Sequence, residues 1–152
     1  MTDMPSSVPP DFDPGHGLFS VLGGEFEELS ADRVVAVMDI DERHLQPFGL
    51  VHGGIYCVIV ETLGSVGASI WGYAHGQYAA VGIANSTDFL RSHRSGRLRA
   101  VATPIHQGRS QQLWEVAVTR ESDGKEVARG RLRLQNIVDP VVIGAASDAA
   151  SS

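Results

Sequence analysis

A long helix with one carboxylate and no other formal charge constrains this chain more than any other feature. No Lys or Arg stands between Arg43 and Arg91. Within that gap, residues 53–71 (GGIYCVIVETLGSVGASIW) read as a mostly apolar helix. Ile55, Val58, Ile59, Leu63, Val66 and Ile70 recur at helical spacing. A helix that is apolar all round is buried rather than laid on a surface. Gly64 and Gly67 each weaken an exposed helix by roughly 1 kcal/mol relative to Ala. Their presence predicts close approach of a neighbouring backbone or ligand.

The rest of the chain supplies strands to enclose that helix. Residues 24–29 and 33–40 read as two strands, the second alternating and β-branched. Four more are expected over 78–90, 96–106, 111–120 and 126–137, with Ser122-Asp123-Gly124 turning between the last two. Residues 17–22 suggest a helical turn. One long helix with about six strands is an α+β arrangement. The 152 residues suit a single core. We place that domain at 15–137, after a flexible arm at 1–14 bearing Pro5, Pro9, Pro10 and Pro14. An Ala/Ser/Gly-rich tail follows at 138–152, expected to be flexible.

Glu61 is the only formal charge in the helix. The positions one turn away, Cys57, Val58, Gly64 and Ser65, offer no ion pair. Two readings are open. Glu61 either points to water at the edge of the helix, or is kept for chemistry, since a desolvated carboxylate must be compensated or protonate. The lead-in, Gln46-Pro47-Phe48-Gly49-Leu50-Val51-His52-Gly53-Gly54, bears on the choice. Pro47 and Gly49 make it a loop. It delivers His52-Gly53-Gly54 to the helix start, where backbone N–H groups are unpaired and the dipole is positive. Such a place suits a developing oxyanion. Gly53 and Glu61 lie roughly 12 Å apart along the axis, which leaves room for a bent substrate carbonyl between them.

Residues 46–65, QPFGLVHGGIYCVIVETLGS, resemble the signature of hotdog-fold acyl thioesterases of the phenylacetate-degradation (PaaI) type. The pattern is most similar to that of enterobactin-pathway proofreading thioesterases and 1,4-dihydroxy-2-naphthoyl-CoA hydrolases. The resemblance continues through 81–87 (VGIANST) and 104–116 (PIHQGRSQQLWEV), and spans roughly 18–137. It implies a hotdog fold, in which a curved antiparallel sheet wraps the long central helix. It also implies hydrolysis of an aromatic acyl thioester of coenzyme A or of an acyl carrier protein. Hotdog domains pair by joining sheets edge to edge, so a homodimer or homotetramer with its sites at the interface is expected.

Matching motif positions assigns roles. Glu61 corresponds to the family's catalytic carboxylate, acting as nucleophile through a mixed anhydride or as general base on water. The Gly53 N–H would polarise the thioester carbonyl, with His52 assisting it or binding the leaving thiol side. Gln46 would position the acyl group or the attacking water, and Ser65 would hydrogen-bond the carboxylate or that water. Asn85, Thr87, Arg91, His106, Gly108 and Arg109 are candidate substrate-binding residues. One departure bears on specificity: the enterobactin-type pattern carries a His-His pair where this chain has Asp88-Phe89. Two alternatives are a hotdog acyl-CoA dehydratase and a non-catalytic acyl-CoA binding protein. Hydration of an enoyl-CoA without thiol release would mark the first, and binding without turnover the second.

Several classes are set aside. A net charge of −6 disfavours nucleic acid. The basic residues are 11 Arg and 1 Lys. Arg91, Arg94, Arg97, Arg99 and Arg109 suit the nucleotide phosphates of coenzyme A, although period-2 spacing at 97/99 and 129/131/133 reads better as a solvated strand face. The histidines show no metal-ligand spacing, and no cofactor is expected. No Gly-x-Ser-x-Gly elbow is present. No run reads as long or apolar enough to cross a membrane, and the N-terminus does not read as a signal peptide. The lone Cys57 excludes an internal disulfide and fits a cytoplasmic setting.

Overall fold

The computed structural model describes residues 4–144. Its elements follow the order α1 (Leu18–Val21), β1 (Gly24–Leu29), β2 (Val34–Ile40), α2 (Gly53–Ala74), β3 (Ala79–Phe89), β4 (Gly96–Gln107), β5 (Gln111–Arg120) and β6 (Glu126–Ile137). One six-stranded sheet has the order β1-β2-β4-β5-β6-β3, and every pairing is antiparallel. The sheet wraps α2, which packs against β2 through β6. This is the hotdog arrangement expected above. β1, β5 and β6 occupy their expected ranges, and the other strand ends fall within one residue.

Alternation decides which face of each strand meets the helix. Leu98, Ala100 and Ala102 of β4, Trp114, Val116 and Val118 of β5, and Leu132 and Leu134 of β6 are buried. The intervening residues carry charge on the outer face. Arg97 pairs Asp39 at 2.9 Å across β4 and β2, and Glu115 holds Arg129 at 2.6 Å and Arg131 at 3.2 Å. Arg97 and the 129/131/133 trio are therefore solvent-facing strand residues.

The close approach expected at Gly64 and Gly67 comes from sheet side chains rather than from backbone. A Cβ at Gly64 would meet Leu132 Cδ2 at 2.8 Å, and one at Gly67 would meet Trp114 Cζ3 at 2.6 Å. Trp114 is fully buried and cannot retreat, because its indole N–H donates to Gln112 Oε1 at 3.0 Å. Gln112 Nε2 donates in turn to the Ala68 carbonyl of α2 at 3.0 Å and to Asn136 Oδ1 at 2.9 Å.

One expectation is corrected. α2 is 22 residues long and contains an 18-residue stretch with a mean hydropathy of 1.4, long and apolar enough by length and composition to cross a membrane, against the reading above. Of that stretch 61% is buried inside the sheet, so the protein itself supplies its apolar surroundings.

The terminal segments carry structure where they are described. Residues 4–17 lie in successive turns, as their prolines require. Phe12 meets Tyr73 edge-on at 5.3 Å, and Met4 and Val8 lie against the core. After β6, Pro140–Ile143 form a 3-10 turn whose Val141 N–H donates to Asp139 Oδ1 at 3.0 Å. Positions 1–3 of the arm and 145–152 of the tail lie outside the described residues.

Gly67→Ala is expected to destabilise the protein by about 1–3 kcal/mol through overpacking against Trp114. Thermal unfolding of the variant beside the parent protein checks this, and an unchanged midpoint would contradict it.

Candidate active site

The lead-in loop is fixed from two sides before it reaches α2. A 3-10 turn at Glu42–His44 precedes it. His44 is fully buried: its Nδ1 accepts from the Asp41 N–H at 2.9 Å, and its Nε2 lies 2.6 Å from the Leu22 carbonyl. Accepting at Nδ1 places the ring proton on Nε2, which donates to that carbonyl. The His44 carbonyl accepts the His52 N–H at 2.8 Å, and the His93 carbonyl accepts the Val51 N–H at 2.9 Å. Between these anchors the chain reverses over 46–50, with Gly49 at φ 77 in the left-handed region.

His52 is the N-cap of α2. Its Nδ1 accepts from the Gly54 N–H at 2.8 Å, and its carbonyl accepts from the Ile55 N–H at 2.9 Å. Among the described residues the Gly53 N–H has no acceptor and is left as a free donor of the helix start. The Gln46 side chain accepts from the Phe48 N–H in its own loop. Gln46 and Gly53 line one cavity of about 330 Å³ together with Tyr56, Phe89, Arg91 and His93. Arg91 stands there with its guanidinium donating to the Glu126 carbonyl at 2.8 Å.

Glu61 opens onto a second groove, of about 470 Å³, with Cys57, Thr62 and Asn85. It is half-buried, and among the described residues its carboxylate joins no ion pair and no side-chain hydrogen bond. The room for it comes from β3. A Cβ at Gly82 would meet Glu61 Cδ at 2.9 Å, and the register of β3 on β6 shifts between Gly82 and Ala84. Asn85 Nδ2 donates to the Cys57 carbonyl at 3.0 Å, one turn before Glu61, and Thr87 Oγ1 donates to Asn85 Oδ1 at 2.7 Å. Asn85 and Thr87 therefore tie β3 to the helix beside the carboxylate. Ser65 is half-buried one turn beyond Glu61, with no hydrogen bond between the two among the described residues.

The remaining candidates lie elsewhere. His106, Gly108 and Arg109 belong to the end of β4 and the turn into β5, beside Gln135 and Asn136 at the opposite end of β6 from Ala128. Ala128 pairs with Phe89, which lines the Gln46–Gly53 cavity. About eight residues of strand separate the two ends, roughly 27 Å. The carbonyls of Gly108 and Arg109 accept from Asn136 Nδ2 at 2.8 and 3.1 Å. Within one chain this turn does not join the helix N-terminus.

The sequence profile of the thioesterase superfamily matches residues 48–127. A Mycobacterium tuberculosis protein provisionally named an esterase is 45% identical over 119 residues, 78% of this chain and 84% of that one. Its solved structure superposes with a TM-score of 0.76 at 44% identity, covering 78% of this chain and 94% of that chain. The 1,4-dihydroxy-2-naphthoyl-CoA hydrolase of Escherichia coli is 38% identical over 96 residues, 63% of this chain and 69% of that one. A solved thioesterase from Haemophilus influenzae has a TM-score of 0.72 at 37% identity, covering 78% of this chain and 81% of that chain.

His52→Ala removes the side-chain cap of α2 and is expected to cost about 1 kcal/mol of stability. Urea unfolding measures it. A loss several times larger would mean that His52 supports the core rather than the helix end.

Proposed function

This chain belongs to the thioesterase superfamily, and on that premise we propose that it hydrolyses an aromatic acyl thioester with Glu61 as the reacting carboxylate. It is a thioester hydrolase; the acyl group and the residue roles are our reading. The observation that carries the roles is the placement of Glu61. Its carboxylate is unpaired among the described residues, faces an open groove, and has room only because β3 places a glycine, Gly82, opposite it. A carboxylate that helix and strand are shaped to leave free is suited to chemistry.

The reaction needs a donor for the thioester oxygen and a base or nucleophile for its carbon. The Gly53 N–H supplies the donor, reinforced by the positive end of α2. With Nδ1 of His52 accepting from the Gly54 N–H, Nε2 is the ring nitrogen left to donate to the thioester oxygen. Glu61 either attacks the carbonyl carbon, giving a mixed anhydride that water hydrolyses, or takes a proton from an attacking water. In both courses the C–S bond breaks, water adds to the acyl carbon, and the thiol leaves with a proton. Gln46, whose amide oxygen is engaged by Phe48, keeps its amide N–H groups for the acyl oxygen or the water. Ser65, one turn beyond Glu61, would hydrogen-bond the carboxylate or the attacking water.

Within one chain Gly53 and Glu61 lie roughly 12 Å apart along the helix; a carbonyl lying between them, as expected from the sequence, would not contact both directly. A homodimer resolves this. β3 is an edge strand whose residues 82–86 are exposed, with Ile83 at 52% and Phe89 at 57% of full accessibility. A second copy pairing antiparallel along that edge brings the N-terminal donors of one chain toward Glu61 of the other. The same symmetry carries the partner's turn at 106–109 toward Arg91, where two arginines would meet the phosphates of coenzyme A. A homotetramer and a carrier-protein thioester remain within this proposal. The aromatic acyl group is supported by the Tyr56–Phe89 pair beside Gly53, with ring centroids 5.8 Å apart, and by the substrate in the name of the E. coli relative.

A thiol-release assay tests the substrate. Benzoyl-CoA and naphthoyl-CoA thioesters are expected to show higher kcat/KM than palmitoyl-CoA on one enzyme preparation, and a preference for the long chain would overturn the aromatic assignment.

Glu61→Gln is expected to keep the fold and substrate binding while lowering kcat by at least about 10²–10⁴-fold, the range of general acid–base catalysis. Near-normal thiol release by this variant would remove Glu61 from the mechanism.

A further inference from the structure

We infer that the Tyr56 hydroxyl is a specificity-determining donor, bound in the substrate complex to an acceptor oxygen on the acyl ring. The inference rests on the aromatic thioester reading above and adds a residue to it. Tyr56 is 2% exposed, and its ring forms a wall of the cavity that also holds Gly53 and Gln46. Its hydroxyl oxygen is buried and finds no hydrogen-bond partner among the described residues. A buried hydroxyl left unsatisfied is costly, and an apolar ring would fill the same space without that cost. A ligand oxygen reaches it only by displacing the side chains that cover it, and the hydroxyl then gains the partner it lacks.

The surroundings fix the sense of that hydrogen bond. Burial pushes the Tyr56 pKa up to about 12, against a smaller opposing effect of the Arg120 charge. The phenol therefore stays neutral and donates. Arg120 is clamped, with its Nη1 donating to the Ser92 carbonyl at 2.9 Å and a two-pronged hydrogen bond to Asp123 at 2.8 Å on each side. A fixed cation near the phenol favours an electron-rich oxygen over a donor or a cation. Phe89, tilted 36° to the Tyr56 ring, supplies an aromatic face at the same cavity, so a flat ring can rest on Phe89 with its substituent toward Tyr56. A site built to hydrogen-bond a substrate oxygen rejects the analogue lacking it far more strongly than an apolar pocket rejects a missing methylene.

The test compares kcat/KM of the parent enzyme and Tyr56→Phe on benzoyl-CoA and on 2-, 3- and 4-hydroxybenzoyl-CoA. The parent is expected to prefer one hydroxylated isomer. The variant should lose about 10-fold on that isomer, the worth of one hydrogen bond, while benzoyl-CoA stays within about two-fold. Equal losses on both substrates would make Tyr56 structural and overturn the inference, as would no loss on either. Calorimetric binding of the matching hydroxybenzoate and of benzoate gives a readout independent of turnover, and the variant must lose the preference there too. A parent enzyme inactive on every aryl thioester would overturn the aromatic reading and this inference together, and that result is visible before any variant is compared.

Discussion

Enclosure of a 22-residue helix with almost no polar face is the constraint from which the rest of this structure follows. Such a helix is stable only if apolar surface surrounds it. A flat sheet covers one side, so the strands must curl. Close contact then requires gaps on the helix. Gly64 and Gly67 provide them, receiving Leu132 and Trp114 where any side chain would collide. The helical glycines are unfavourable locally and favourable globally, because each admits a large buried residue from the sheet. The Trp114–Gln112–Ala68 hydrogen bonds then set the rotation of the helix within its wrapper.

Rotation determines what is left uncovered. With its packed face turned to β4, β5 and β6, the helix presents Cys57, Glu61 and Thr62 toward β3. β3 is an edge strand, paired on one side by β6. Its bulge at Gly82–Ala84 loosens the ladder where the carboxylate needs space. The same feature that leaves Glu61 unpaired thus leaves an unpaired strand edge beside it. An exposed edge bearing Ile83 and Phe89 is a hazard in a lone chain, and a second copy is its natural cover. On the proposal made above, the reacting carboxylate and a dimer interface would share one physical origin.

The fold was legible because both of its periods are clean. Alternation in β4 through β6 and the helical recurrence from Ile55 to Ile70 mark the elements to within a residue or a turn. Short aperiodic pieces left no such mark. The Glu42–His44 turn is held by the fully buried His44, and nothing in sequence distinguishes that histidine from a surface one. The buried polar pair Gln112 and Asn136 was equally silent, since apart from Trp114 its partners lie 24 and more residues away. The site was half legible. The pattern from Gln46 to Ser65 is local, so its members fall on one loop and one helix. Sequence proximity said nothing about His106, Gly108 and Arg109, which the antiparallel order carries to the far end of the sheet. Tyr56 was hidden for the opposite reason. An aromatic at a helical core position reads as packing, and only the surroundings of its hydroxyl reveal a polar atom without a partner.

The cations complete the division of labour along the helix. The sequence between Arg43 and Arg91 is free of them, and three of those that follow, Arg91, Arg94 and Arg120, stand around the loops at the helix N-terminus. Arg94 donates to the Phe48 and Gly49 carbonyls at 3.3 Å, Arg91 to Glu126 and Arg120 to Ser92. Each guanidinium there holds a loop carbonyl and still has N–H groups to spare, because five donors exceed the bonds each makes. Glu61, about two turns further along, has no such neighbour. Cations beside it would hold the carboxylate in an ion pair and blunt it as base or nucleophile. Cations at the helix mouth instead add to the dipole and draw an anionic ligand tail to that end. A thioester anchored there by its phosphates would present its acyl carbon to a carboxylate kept free of competing charge. Among the described residues, cations thus stand at the helix mouth where the proposed substrate would be anchored, and none pairs with the carboxylate proposed to react.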